Sequence, residues 1–472
     1  MDEKMKLALI SLDKKGGNPP LGLGYLASYL SKYMNFNNTV IIDKEDIMKA
    51  LKREKPDLIG VSATTKEFGT AMALGDDIKK GFSVPLMVGG VHISALPHLL
   101  PASYDIGVVG EGEQTLLELM TNFEKTGELK NKAINGLVFR QGSDVVMTEK
   151  RKPIENLDTI PFPSRHLFKM KKYYLQPRIM PFASEISIGT HMFTSRGCPY
   201  NCVYCSATAF WGRVRYNSPE YVIEELKEVV KNYNIDTMCL FDDLFVADKV
   251  RLEKIVSLIE KEGLNQKLKF TSYARANLFD DDVCKLLKRM NVVALAFGLE
   301  SGSPRVLKYL KRNTATVEQN ANAIRLCRKY GFFVNGNYMI GNPGETREDL
   351  EMTYQFLKQN PIDDFGITKT RAFPGTELWN VAKNRGLIDE SKVNWAEFST
   401  RKFDGIILSE HLTDADIEEY RKKIQPEIVK SHKRFKVNPK YLLDPRLLIR
   451  AAKRPDELLN YIIGKIKGSG GD

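Results

Sequence analysis

The sequence predicts an α/β protein: a doubly wound, Rossmann-like N-terminal domain, then a partial (β/α)6 barrel, then a helical C-terminal region. Short apolar β-type runs alternate with amphipathic helical patterns over residues 1–133, and a second such series covers 186–385. Strands separated by helices of this length pair in parallel and collect ligands at their carboxyl ends. A third observation, the close cysteines Cys198, Cys202 and Cys205 at the head of the second series, marks where the chemistry lies. Residues 134–185 read as a hairpin and linker, and 386–472 as the helical region.

At 472 residues the chain has room for two or three hydrophobic cores, and its 43% hydrophobic and 27% charged residues are ordinary for a globular protein in water. No window holds the roughly 20 apolar residues a membrane span needs. The opening MDEKMKLALISL lacks the apolar length of a signal peptide. Six cysteines, three of them clustered, suit a reducing cytoplasm. The formal charge of +11 reads as a lysine-rich solubilising surface, and no zinc finger, RGG tract or RNP-type aromatic motif speaks for nucleic acid.

In the first series the strands are LALISL (7–12), TVIID (39–43), LIGVSAT (58–64), PLMVGG (85–90) and IGVVG (106–110). Apolar residues at three- and four-residue spacing make LGYLASYLSKYM, EDIMKALKREK and FGTAMALGDDIKKGF helices. The strand ends gather Gly16, Gly17 and Pro20-Leu21-Gly22, then Ser62, Thr64 and Thr65, then Gly89, Gly90 and His92, then Gly110-Glu111-Gly112-Glu113. Glycines allow close backbone approach and hydroxyls give neutral hydrogen bonds, so these are candidate ligand contacts. They form neither a G-x-G-x-x-G fingerprint nor a Walker A loop. INGLVFRQGSDVVMTEKR then reads as a hairpin turning at Gly142-Ser143, and Pro161 and Pro163 keep the following linker from being a long helix.

The stretch SRGCPYNCVYC, 195–205, sets the three cysteines in a C-x3-C-x2-C array. Three thiolates suit an Fe–S cluster and leave one iron of a four-iron cluster open. Zinc is the alternative, but a fourth ligand at finger-like spacing is missing: the next cysteine is Cys239 and the nearest histidine is His191. Cys239, Cys284 and Cys327 lie in apolar patterns and read as core.

Six strand–helix units follow: HMFTSRGC, TMCLFDD, LKFTSYAR, VVALAFGLES, VNGNYMIG and FGITKTRAF. The helix SPEYVIEELKEVVKNY has Ser218 as N-cap and Pro219 in its first turn. Six units are two short of a closed barrel, and function belongs at the carboxyl ends of its strands. Polar residues stand there: Asp242 and Asp243, Arg275, Glu300-Ser301-Gly302, Asn337 with Gly341 to Glu345, and Arg371. Asp242 as a cap and Arg275 as an ion-pair partner are the structural alternatives. Thr413-Asp414 opens a further amphipathic helix, and RLLIRAAKRPDELLNYIIGKIK mixes basic and apolar faces. That stretch is a helical cap or a surface helix for an anionic membrane or lipid-like substrate. The closing GSGGD has linker composition.

The C-x3-C-x2-C array with Tyr204 before Cys205, GLESGSP and YMIGNPGET resemble the signatures of the radical S-adenosylmethionine (SAM) enzymes. PPLGLGYLASYL, GGVH and GEGE resemble the cobalamin-binding domain of that family's class B members. The resemblance implies a [4Fe-4S] cluster on Cys198, Cys202 and Cys205, with SAM on the open iron. It implies SAM contacts from Tyr204, Asp242, Arg275, Glu300, Ser301, Asn337, Gly341 and Arg371. It implies cobalamin contacts from Pro20, Leu21, Gly22, Ser62, Thr64, Thr65, Gly89, Gly90, His92, Gly110, Glu111, Gly112 and Glu113. The D-x-H-x-x-G motif of the wider cobalamin fold is missing, which leaves cobalt without a protein histidine and gives His92 the nucleotide tail or the turn itself.

The activity this implies is methylation of an unactivated carbon through a 5′-deoxyadenosyl radical and methylcobalamin. The alternative is cyclisation, rearrangement or carbon–carbon coupling, on a lipid for example. tRNA methylthiolation is disfavoured, because such relatives carry three more N-terminal cysteines and residues 1–197 hold none. Expected partners are a small-molecule, lipid or peptide substrate and an electron donor such as flavodoxin or ferredoxin, with peripheral membrane contact through the C-terminal helices.

Overall fold

The computed structural model describes residues 5–13, 17–175, 178–180, 185–398 and 406–433. Gly16, the basic–apolar stretch 446–467 and the closing GSGGD lie outside them, and with them the expected membrane contact. The chain forms two compact units that interleave in sequence: one of 1–173, 195–217 and 371–406, the other of 174–194, 218–370 and 407–472. Among the described residues no helix is long and apolar enough to cross a membrane.

The first unit is built on seven strands: β1 (Leu7–Ser11), β2 (Thr39–Ile42), β3 (Leu58–Ser62), β4 (Leu86–Gly89), β5 (Ile106–Val108), β6 (Leu137–Gln141) and β7 (Asp144–Met147). Their order is β2-β1-β3-β4-β5-β6-β7, parallel through β5. Helices α1 (Leu21–Met34), α2 (Ile47–Glu54), α3 (Phe68–Gly81), α4 (Val91–Ala95) and α5 (Gly112–Thr126) lie between the strands. Leu7, Ala8, Leu9 and Ile10 are all buried, as a central parallel strand covered on both faces requires. The hairpin β6–β7, which the sequence sets apart from the first domain, is the antiparallel edge of this sheet. β5 is short, and Leu137, Val138 and Phe139 bury themselves by pairing with it.

The linker beyond it lies along α1, where the Ser164 N–H donates to the Gly24 carbonyl at 3.0 Å and a Cβ on Gly24 would stand 3.0 Å from Pro163. The segment after 371 returns to α3. There a Cβ on Gly69 would sit 2.4 Å from the Ala396 backbone, so only glycine fits.

The second unit is a sheet of six parallel strands in sequential order: β8 (Gly189–Met192), β9 (Thr237–Leu240), β10 (Lys269–Ala274), β11 (Val292–Glu300), β12 (Phe333–Ile340) and β13 (Asp364–Lys369). This is the six-unit partial barrel read from the sequence. β10 and β12 alternate buried with more open residues, the mark of one face packed on helices and the other lining a hollow. Ser218 caps the helix Pro219–Asn232 through the Tyr221 N–H. In the helix Asp414–Lys433, Ile417 and Tyr420 pack against Ile340, Leu350 and Leu412, so its first turns close over the end of β12.

Candidate active site

The three cysteines stand on a loop closed at its base by Ser195–Arg196 pairing antiparallel with Arg215–Tyr216. The chain enters the loop through Gly197 at φ 88°, where a Cβ would press within 3.1 Å of Trp211. Within it the Cys205 N–H donates to the Cys202 carbonyl at 3.1 Å, and the Ala207 N–H donates to the Cys205 sulfur at 3.5 Å. Cys202 is buried, Cys198 half-buried and Cys205 exposed, and none is in a disulfide. A cluster takes one thiolate per iron, and thiols spread along one loop, one already accepting a backbone N–H, fit that donor set. Tyr204 is half-buried beside Cys205.

Behind this loop is a cavity of 340 Å³ belonging wholly to the first unit. Thr64, Thr65 and Lys66 after β3, Val91, Ser94 and Ala95 of α4, and Val109 and Gly110 after β5 form one wall. Ser206, Ala209 and Phe210, at and within the short helix α6 (Ala207–Trp211) that follows the last cysteine, form the other with Phe373, Pro374 and Gly375; Lys150 completes the lining. Gly110, at φ 82°, has nothing within 4 Å of where a Cβ would stand, so its missing side chain is open room, and its N–H donates to Ser94 Oγ at 2.9 Å. Gly90, at φ 107°, turns where a Cβ would meet the Ala63 carbonyl at 2.5 Å. Hydroxyls, small residues and aromatic edges at parallel strand ends are a fitting cradle for a corrinoid.

Of the expected corrinoid contacts, Thr64, Thr65 and Gly110 line the cavity and Gly90 shapes its rim. Ser62 and Gly89 pair in register at the ends of β3 and β4, just short of the lining. At the start of α1, Pro20 is half-buried, Leu21 is core and Gly22 is exposed, while Gly112 packs on Leu26.

Three expectations are corrected. His92 is fully buried, stacked on Phe68 at 3.7 Å and edge-on to Trp395 at 4.5 Å, with Nδ1 3.4 Å from Thr65 Oγ1. Burial lowers its pKa to about 3, so it is a neutral core residue. Glu111 and Glu113 turn instead toward the cysteine loop. Arg215 donates to Glu111, and Arg196 donates to Glu113 at 2.5 Å while lying 3.6 Å from Glu111. Burial pushes Glu113 up and Arg196 down, but their mutual attraction outweighs it, holding the carboxyl below and the guanidinium above their ordinary values.

In the second unit Glu300 ends β11 in the left-handed region at φ 61°, buried, and accepts from Lys311 Nζ at 2.9 Å. The pair stands over Gly298, where a Cβ would fall 2.2 Å from Glu300 Oε1 and 3.3 Å from Lys311 Nζ. Gly298, Asn337 and Gly366 are register neighbours across β11, β12 and β13, so the exposed Asn337 amide is flanked by two bare positions. Arg275 donates to Asn277 and to Thr314, whose own hydroxyl donates to the Lys311 carbonyl. The turn at 341–345 is organised by Glu345, whose Oε2 accepts from the Gly341 and Asn342 N–H groups at 2.6 and 2.9 Å.

The structure thus brings Glu300 and Asn337 together, with Arg275 joined to them through Thr314 and Lys311. Two residues are spent elsewhere. Asp242 accepts from the Thr194 N–H and hydroxyl at 2.6 and 2.7 Å, tying the end of β8 to that of β9. Ser301 is fully buried against Thr353 and the Ser303 N–H. Gly341, at φ 82°, packs on Ile417, and Arg371 is half-buried at the head of the segment leading to Phe373. Sequence reading missed Lys311, Arg196 and Arg215. Lys311 carries a weak signal, being the first cation after the GLESG turn's helix, and the arginines only that they flank the cysteines.

The chain is similar to several known proteins. A family profile described as the Radical SAM superfamily matches residues 192–357, and one described as the B12 binding domain matches 12–120. An uncharacterized methyltransferase of Pyrococcus horikoshii is 35% identical over 417 residues, 86% of each chain. The cytidylyl-2-hydroxyethylphosphonate methyltransferase of Streptomyces wedmorensis is 25% identical over 430 residues, 78% of this chain and 79% of that one. Among solved structures, the radical S-adenosylmethionine methyltransferase TsrM from Kitasatospora setae, with cobalamin and a [4Fe-4S] cluster bound, shares the fold at TM-score 0.65 and 19% identity, over 80% of this chain and 76% of that one.

Proposed function

The chain belongs to the cobalamin-dependent radical SAM methyltransferase family, and from that premise we propose that it methylates an unactivated carbon of a small-molecule, lipid or peptide substrate. The observation that carries the reading is the shared wall of the cavity: the helix that starts two residues after Cys205 is one side of the corrinoid cradle. When bound, the cluster supplies the electron that cleaves SAM to a hydrogen-abstracting radical, and the corrinoid supplies the methyl group.

The chain's own residues hold and orient. Cys198, Cys202 and Cys205 would hold the cluster, while Thr64, Thr65, Ser94 and the bare Gly110 would seat the corrinoid. Asn337 and the buried Glu300–Lys311 pair, held together at 2.9 Å, would orient SAM. Phe210 and Phe373 line the cavity on the side of the cysteine loop. A flavodoxin- or ferredoxin-type protein would supply the electron.

The test needs no substrate at first. Reconstituted, reduced protein with hydroxocobalamin and methyl-labelled SAM is expected to release both 5′-deoxyadenosine and S-adenosylhomocysteine, the latter only when the corrinoid is present. 5′-Deoxyadenosine without corrinoid-dependent S-adenosylhomocysteine would overturn methyl transfer in favour of radical cyclisation or rearrangement.

A further inference from the structure

The cysteine loop rests on very little local structure. Its base is a two-rung hairpin, and a two-stranded ribbon alone is marginal in water. What holds it is a buried quartet of charge. Arg196 stands two residues before Cys198, and Arg215 begins the returning strand. Their side chains are 12% and 3% exposed, and those of Glu111 and Glu113 are 6% and 5% exposed. The quartet is electrically neutral and wired to backbone: Glu111 accepts from the Ile154 N–H at 2.9 Å, and Arg215 donates to the Ile154 carbonyl at 2.6 Å and to the Trp211 carbonyl at 3.2 Å. The Arg196 guanidinium also stacks between Tyr25 and Trp211, 5.8 and 5.3 Å from their ring centres. On the other side, Glu111 directly follows Gly110, which lines the cavity.

We propose that Glu111, Glu113, Arg196 and Arg215 are positioning residues that clamp the cysteine hairpin to the cavity's glycine turn and hold the three thiols in place before any cluster is built. This rests on the reading of those cysteines as the cluster ligands, yet the clamp itself is visible without a cluster. A buried pair that loses one partner leaves an uncompensated charge, and its cheapest relief is opening of the weak hairpin rather than unfolding of the core.

The experiment uses the full-length, cluster-free protein and measures alkylation of each cysteine by iodoacetamide, resolved by peptide mass spectrometry. Cys202 is 8% exposed and reports the loop, while Cys284 and Cys327 are wholly buried in the other unit and report unfolding that reaches that unit. Glu113→Gln is expected to speed Cys202 labelling about tenfold with Cys284 and Cys327 unchanged, and Glu113→Asp to keep most of the protection. Cys202 labelling that stays at the wild-type rate, or rises only in step with Cys327, would overturn the clamp. After reconstitution, Glu113→Gln is expected to retain less iron per chain and to shift the electron paramagnetic resonance signal of the reduced cluster. An unchanged signal at full iron content would count equally against the clamp. Absence of SAM cleavage in the wild type would sink the functional reading and leave the labelling result standing.

Discussion

Two glycine–glutamate turns at strand ends, GEGE at 110–113 and GLESG at 298–302, look alike in sequence and do different work. In the first unit, Glu111 and Glu113 face arginines that flank the cysteines, so the carboxylates hold protein to protein while the glycine between strand and helix lines the cavity. In the second, Glu300 accepts from Lys311, and the pair stands over the bare Gly298 beside an exposed Asn337. The first turn has four charges that balance one another across the protein. The second sets the Glu300–Lys311 pair beside open backbone, which a ligand can use. A strand-end carboxylate therefore announces a buried charge, and its partner decides whether that charge serves the scaffold or the site.

The sharpest way to break this contrast is Lys311→Met. Removing one partner of a buried pair costs roughly 3–5 kcal/mol. The loss here is expected with weaker SAM binding but full iron content and unaltered Cys202 protection. Thermal unfolding, SAM titration and iron analysis on one preparation check it; loss of iron would mean that the two turns are not separate in role. A smaller effect is expected from Gly298→Ala, whose methyl meets Glu300 Oε1 at 2.2 Å. Overpacking of this kind costs about 1–3 kcal/mol. SAM affinity should fall several-fold by calorimetry while corrinoid binding to the first unit stays as in the wild type.

Much of this was legible. Both strand series, the six-unit barrel and the cysteine array follow from local patterns, because period and spacing are short-range properties. What stayed hidden was partnership. Arg196 and Arg215 lie 83 and 104 residues from the glutamates they neutralise, and nothing local marks either as theirs. The hairpin β6–β7 was legible as a hairpin, but its sheet was not, since that depends on β5 needing an edge partner. Asp242 and Ser301 read as site residues because polar groups at strand ends are usually available. Each is instead consumed by a neighbour, Thr194 or Thr353, which sequence does not pair with it.

His92 sharpens the comparison from the opposite side, as a buried titratable group at a strand end with no countercharge. Its Nε2 has no hydrogen-bond partner, Phe68 and Trp395 cover its ring, and burial lowers its pKa to about 3. The unfolded chain, with a histidine pKa near 6.5, takes up a proton on acidification well before the folded one. Stability from this residue is therefore fully present above about pH 6.5 and is lost progressively as the pH falls from there toward 3. By pH 5 the loss amounts to about 2 kcal/mol. His92→Phe keeps an aromatic ring in the stack and removes the proton. It should match the wild type within about 1 kcal/mol at pH 7.5 and fall less steeply in unfolding midpoint between pH 7 and pH 5. Parallel midpoint-against-pH curves for the two proteins would mean that His92 is not the buried neutral group its surroundings make it.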